Sequence, residues 1–179
     1  MSIQSDVKVG FIADENVADP DRLVVAARPN TSATMAETTF LGGGARNVTV
    51  TTTGTSDNAK TCTITGTDVF GNAITEVIVS TGSAEAVAGA KLFLTVSGVE
   101  CSAQYAANIT VGSGSLCASA VAGGNRTRMK GYSIVSAGTA GLVDFYNGTP
   151  EDGTIIFKAQ TIGTDNTTID NTIPDEGLL

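Results

Sequence analysis

The groups able to carry chemistry in this sequence are carboxylates and thiols, because the chain contains no His. Without imidazole, Ser-His-Asp and Cys-His machinery and imidazole-ligated zinc are excluded. Asp57, Asp68 and Asp152 sit in Gly- and Asn-rich stretches, where an Asp side chain caps a reversing backbone. Paired carboxylates hydrolyse glycosides from a groove lined by sugar-stacking aromatics, and zero Trp with three Tyr argues against such a groove. Asp14, Glu15, Asp19 and Asp21 offer oxygens to Ca²⁺, but their spacing lacks the loop pattern and pivotal Gly of a calcium hand. The three cysteines, Cys62, Cys101 and Cys117, have no CxxC spacing and cannot complete a four-thiolate zinc site. They read as small buried hydrophobes, with a Cys62–Cys101 bridge as the alternative. Gly42-Gly43-Gly44 is followed by Ala45-Arg46 and a strand pattern, not by the Lys-Ser/Thr and helix of a phosphate loop, so it reads as a turn. No catalytic, metal-binding or cofactor-binding residue is predicted, no cofactor is expected, and the chain is not expected to be an enzyme.

These groups are positioned by strands. Residues 46–79, RNVTVTTTGTSDNAKTCTITGTDVFGNAITEVIV, read as three consecutive strands joined by turns at 54–58 (GTSDN) and 67–72 (TDVFGN). Val48 and Val50 alternate with Asn47, Thr49 and Thr51, and Cys62 and Ile64 alternate with Thr61, Thr63 and Thr65. That period of two predicts a core face and a threonine face turned to solvent. In the third strand Ile74 and Ile78 share a face with Glu76, while Val77 and Val79 point the other way. The mixture suggests a strand that meets something on both sides, and leaves Glu76 as either an edge carboxylate or an interface one. Residues 22–27 (RLVVAA), 34–41 (TMAETTFL), 91–99 (KLFLTVSGV) and 108–112 (NITVG) complete a set of seven strands. In the strand over 91–99, Leu92, Leu94 and Val96 share one face with Phe93 opposite; residues 80–90 form a long connection.

The spacing of the seven is that of an immunoglobulin-like antiparallel β-sandwich. Residues 1–19 form an irregular acidic arm, residues 20–121 the β-sandwich domain, and residues 126–179 a second small β domain of sandwich or jelly-roll kind. The boundary falls near Gly123-Gly124. Strands are expected over 132–135, 142–146, 154–159 and 169–173, separated by turns at 136–141 (SAGTAG) and 147–153 (NGTPEDG). Arg126, Arg128 and Lys130 alternate at the start of this half, as a solvated strand face or as a contact for an acidic partner surface. Leu178-Leu179 stand where a closing strand would begin, which leaves open completion by another chain or a longer sequence.

Composition bounds the rest. The chain has 179 residues, 41% hydrophobic and only 5% aromatic, so its cores are small and aliphatic. A net charge of −8 argues against nucleic-acid and anionic-membrane partners. The first twenty residues lack the apolar run of a signal peptide, and synthesis in a reducing cytoplasm is expected. Asn-x-Thr/Ser triplets at Asn30, Asn47, Asn108, Asn125, Asn147 and Asn166 then reflect Asn turns beside Thr strands rather than glycosylation. Two function classes remain: a structural or assembly protein that binds copies of itself or a shell, and a ligand-binding module such as an adhesin or receptor-binding sandwich.

Several of these stretches also carry a family likeness. Arg46-Asn47-Val48-Thr49-Val50, residues 61–68 (TCTITGTD), Phe70-Gly71-Asn72, Ile74-Thr75-Glu76, residues 91–96 (KLFLTV) and 108–112 (NITVG) together resemble a recurrent β-sandwich module. It belongs to virion proteins of tailed bacteriophages, especially those of aquatic bacteria. Residues 128–135, 143–148 (VDFYNG), 153–157, Ile173-Pro174 and Glu176-Gly177 are similar to a separate phage structural module. The resemblance implies a non-enzymatic virion component made in the bacterial host cytoplasm. It implies a capsid decoration or cement protein on the outer face of the head shell, forming a homo-oligomer (a trimer) and partnering the major capsid protein or other virion proteins. The alternative it implies is a tail or head–tail junction component: an adaptor, tube or fibre-attachment protein.

Overall fold

A computed structural model describes residues 18–120, 129, 131–136, 140–148, 152–161, 163 and 167–172. Residues 1–17 of the expected arm lie outside this set, as do Asp14, Glu15, Arg126, Arg128, Lys130 and the end of the chain from residue 173. The chain divides into two compact units, Met1–Val121 and Ala122–Leu179.

The first unit holds seven strands: β1 (Val24–Ala27), β2 (Ala45–Thr52), β3 (Thr61–Thr67), β4 (Ala73–Val79), β5 (Val87–Phe93), β6 (Thr95–Cys101) and β7 (Ile109–Ala118). They form a four-stranded sheet in the order β1-β7-β2-β5 and a three-stranded sheet in the order β4-β3-β6, with every pairing antiparallel. Val48, Val50 and Val111 of the first sheet pack with Cys62, Ile64, Val96 and Val99 of the second in one buried cluster, closed by Leu23, Phe40, Phe93, Tyr105 and Ile109. The unit is therefore an all-β sandwich with an aliphatic core. β2 pairs β5 and β3 pairs β6. The last strand, β7, lies in the first sheet between β1 and β2.

Several features differ from the sequence expectation. β5 begins at Val87, inside the expected connection over 80–90, and β7 runs on to Ala118, past the expected end at 112. Residues 34–41 form no strand: they meet β6 through the isolated bridge Thr39↔Thr95 and through Val96 N–H donating to Thr38 O at 2.8 Å. The reason is parity. Met35 and Phe40 both pack on the core, and two residues an odd number apart cannot share a face of a regular strand. The predicted strand over 91–99 is two strands, for the same reason. Phe93 and Val96 are both fully buried, so the chain bends at Leu94, whose N–H donates to Thr67 O at 2.7 Å, and passes from one sheet to the other. The threonine face of β2 is not turned to water, since Asn47 and Thr49 are buried. Thr49 pairs with Gly112, and the Asp19–Pro20 backbone crosses directly over Gly112. It is held there by Ser113 N–H donating to Asp19 O at 2.8 Å and Asp19 N–H donating to Ser113 Oγ at 3.0 Å. Asn47 spans both neighbouring strands: its Nδ2 donates to Gly89 O at 3.1 Å and its Oδ1 accepts from Leu116 N–H at 2.9 Å.

The second unit contains β8 (Gly131–Ser136), β9 (Leu142–Asn147), β10 (Thr154–Gln160) and β11 (Thr167–Thr172). β9 pairs β10 and β8 pairs β11, giving two two-stranded antiparallel sheets among the described residues. Tyr132 of β8 meets Phe145 of β9 and Phe157 of β10 at ring-centroid distances of 5.3 and 5.5 Å, and the two Phe rings lie 5.6 Å apart. These tilted rings join the two ribbons.

Gly66 marks the tightest approach in the β3–β6 ladder. The register shifts between Thr65 and Gly66, and a Cβ at Gly66 would collide with the Thr95 carbonyl. Because the obstacle is backbone, Gly66→Ala is expected to cost about 1–3 kcal/mol, read as a lowered urea midpoint with an unchanged slope.

Candidate functional site

The densest polar cluster among the described residues is built on Asp57, which closes the short 3₁₀ turn Thr55–Asp57 between β2 and β3. Its side chain is fully buried. Oδ1 accepts from Lys60 Nζ at 2.7 Å and from Ala106 N–H at 2.7 Å; Oδ2 accepts from Thr52 Oγ1 and Ala107 N–H, each at 3.0 Å. Lys60 Nζ also donates to Gln104 O and lies 5.3 Å from the centroid of the Tyr105 ring. The Ser80 hydroxyl, at the end of β4, donates to the carbonyls of Asp57 and Lys60. Burial works against the charged carboxylate. The Lys60 ammonium, the Ala106 and Ala107 amides and the Thr52 hydroxyl outweigh it, holding Asp57 well below the usual carboxylate range. With two donors on each oxygen, the carboxylate has no lone pair directed at a substrate. Its chemistry is structural.

Asp68 repeats the device on a smaller scale. Oδ1 accepts from Phe70 N–H and Asn72 N–H, both at 2.8 Å, and Oδ2 from Asn72 Nδ2 at 3.0 Å. Gly71 supplies the left-handed position of this turn, with φ 84°. Burial raises the Asp68 pKa, but the bonds from Asn72, Phe70 and Gly71 bring it below the ordinary value. Both aspartates therefore sit in turns, as their Gly/Asn context predicts. Asp152 is exposed, in a turn of the second unit.

Glu76 is half-buried on β4 and reaches across to the edge of the other sheet. Its carboxylate accepts from Ala90 N–H at 2.7 Å and from Lys91 N–H at 3.2 and 3.3 Å, over Gly89. The ambiguity over Glu76 resolves in favour of a contact within the chain: it caps donors of the β5 edge. Val77 and Val79 face away from the core and are exposed.

The cysteines separate into a pair and a single. Cys62 and Cys101 stand directly opposite on β3 and β6, buried and free, while Cys117 is exposed on β7. Gly42 and Gly43 have φ 77° and 70° and form the expected turn; Gly43 and Gly44, with Val69, Leu94 and Ala118, line a depression of about 190 Å³ that holds no charged side chain. Asp19 and Asp21 are linked only through Asp21 N–H donating to Asp19 Oδ1 at 3.4 Å. No group of three His, Cys, Asp or Glu among the described residues is placed to hold a metal ion, and none of their helices is long and apolar enough to cross a membrane.

The sequence reading missed Lys60, Thr52, Ser80 and Tyr105 as partners of the Asp57 turn. Lys60 follows Asp57 by three residues and was within reach of a local argument. The Ala106 and Ala107 amides arrive from about fifty residues away, and no local signal announces them.

Fold and site together define an all-β sandwich protein whose buried acids serve its own backbone. No protein-family model, curated protein or solved structure matches the chain.

Two outcomes follow from this geometry. The unfolded chain protonates Asp57 near pH 4 and the folded chain only at lower pH, so the unfolded state binds more protons in between. This stabilisation is present above about pH 4 and is lost as the pH falls toward the folded value. Asp57→Asn is expected to lower stability at pH 7 by about 3 kcal/mol and to flatten the acid limb, measured by urea unfolding at pH 7 and pH 3. Glu76→Ala is expected to cost about 1–2 kcal/mol and to speed hydrogen exchange at the Ala90 and Lys91 amides above all others.

Proposed function

We propose that the protein is a non-enzymatic structural component of a tailed-phage virion, a decoration or cement protein that binds the outer face of the head shell. The observation that carries this reading is the division of labour between its polar and apolar groups. Asp57, Asp68 and Glu76 are spent on the protein's own backbone, and no convergent set of groups for a substrate stands out among the described residues. Val77 and Val79, meanwhile, are 56% and 50% exposed on the outer face of β4. β4 is the edge of its sheet, and an exposed apolar edge strand is a surface that partners pair with. The resemblance of residues 46–112 to phage β-sandwich modules is the ground for the proposed partner: the major capsid protein or another virion protein, contacted by a homo-oligomer of this chain, for which a trimer is proposed. The net charge of −8 accords with a protein partner rather than a nucleic acid.

The test is cosedimentation of the purified chain with phage head shells. The Val77→Lys/Val79→Lys double variant is expected to reduce the bound fraction at least tenfold. Its melting temperature should stay close to that of the parent, because exposed substitutions usually shift stability by no more than about 0.5 kcal/mol each. Undiminished binding removes β4 as the contact. Density for the chain at the unique vertex or along the tail of a virion map, rather than on the lattice, replaces the reading with that of a tail or head–tail junction component.

A further inference from the structure

We propose that Cys62 and Cys101 form a redox-modification site, closed into a disulfide across the β3–β6 ladder by a peroxide-class oxidant. The two residues are exact register partners in an antiparallel pair, and both thiols are free. Their sulfurs lie 3.8 Å apart, within reach of bonding after a small rotation of the side chains. Opposed residues in antiparallel strands have Cα atoms about 4.5 or 5.5 Å apart, and both separations fall inside the range of about 4.4–6.8 Å that disulfides accept. The backbone therefore needs no rearrangement to close the bond. Tyr105 Oη lies 3.3 Å from the Cys62 sulfur, and places a hydroxyl beside the pair that can hydrogen-bond a thiolate there.

Access distinguishes the two sulfurs. Cys101 is 9% exposed and Cys62 is fully buried, so an oxidant arriving from solvent meets Cys101 first. The pair ionises as a unit, one S–H hydrogen-bonded to the other sulfur, so that a single proton lost activates the pair. Hydrogen bonds from Cys101 and Tyr105 lower the Cys62 thiol, while the neighbouring Cys62 and burial push the second ionisation, at Cys101, up. In the first step Cys101 S–H passes its proton to the Cys62 thiolate as the Cys101 sulfur attacks one oxygen of hydrogen peroxide and the O–O bond breaks. Cys101 becomes a sulfenic acid, and the leaving hydroxide recovers from solvent the proton that the pair had lost, as water. In the second step the Cys62 sulfur attacks the Cys101 sulfur, the S–S bond forms, and the sulfenic hydroxyl leaves with the Cys62 proton as a second water. Two thiols and one peroxide give one disulfide and two waters. The bond closes a loop of about forty residues, a length at which cross-linking restrains the unfolded chain appreciably.

Trypsin places the pair on separate peptides, 61–91 and 92–126, but Cys117 shares the second peptide with Cys101. The test therefore uses the full-length Cys117→Ser variant, exposed to hydrogen peroxide, denatured, alkylated and mapped without reduction. The expected result is simultaneous loss of both thiols, appearance of the 61–91/92–126 cross-linked pair, and reversal by dithiothreitol. The melting temperature should rise on oxidation by roughly 5 °C or more, and Cys101→Ser in the same background should abolish that rise. Fragment-ion mapping of the unsubstituted chain reads the pairing independently of how either variant folds. Two results overturn the proposal: both thiols remaining alkylatable after peroxide treatment, or Cys101 advancing to a sulfinic acid while Cys62 stays free.

Discussion

The first unit depends on keeping one charge dry. A carboxylate removed from water is costly unless its lone pairs are filled, and Asp57 meets that condition with donors drawn from three separate parts of the chain. Thr52 ends β2, Lys60 leads into β3, and Ala106 and Ala107 precede β7. Ser80, from the end of β4, binds the carbonyls on either side of the turn. One side chain thus fixes the end of the sandwich where both sheets must turn. The same saturation that makes the turn rigid makes the acid chemically inert.

The sheet edges are handled by different means. Glu76 occupies amide donors on the β5 edge. The segment before β2 runs along β6, with Ala33 N–H donating to Val99 O, Cys101 N–H to Thr31 O, and Val96 N–H to Thr38 O. A charged group placed against one edge and an irregular segment laid along the other are both recognised ways of blocking unwanted strand addition. The outer face of β4 carries Val77 and Val79 instead. That contrast, rather than any cleft, underlies the proposal that the protein works by binding a protein surface.

Much of the fold was legible because the alternation of Val48 with Val50, and of Cys62 with Ile64, is a direct consequence of the pleat. The turns at 54–58 and 67–72 were legible because Asp accepts the free amides of a reversing backbone and, in the second, Gly71 takes the left-handed position. What was not legible depends on contacts distant in sequence. The burial of Thr49 follows from Asp19–Pro20 crossing over Gly112, and the break at Leu94 follows from Phe93 and Val96 both belonging to the core. The strand count illustrates the difficulty: seven were expected and seven are present, but the segment over 34–41 is absent from the set and 91–99 supplies two. The site was partly legible. Asp57 was recognised as a turn acid from its neighbours, while its depth of burial could not be, because local sequence does not reveal what covers a turn.

The two units meet one shortage differently. With few aromatic residues and no Trp, neither unit has large side chains to spare. The second unit places three of its rings in mutual contact, and an isolated two-stranded ribbon is marginal in water without such packing. The first unit builds a mostly aliphatic core in which Phe40, Phe93 and Tyr105 are spread among the Val, Ile and Leu side chains, and anchors its end with a charge. A hydrogen-bonded carboxylate is directional where an aliphatic cluster is not: it accepts only the arrangement that fills all its lone pairs. In a sandwich of small side chains, which many registers would pack nearly as well, that directionality selects one. Asp57 is thus better understood as the residue that specifies the fold than as a remnant of a catalytic site.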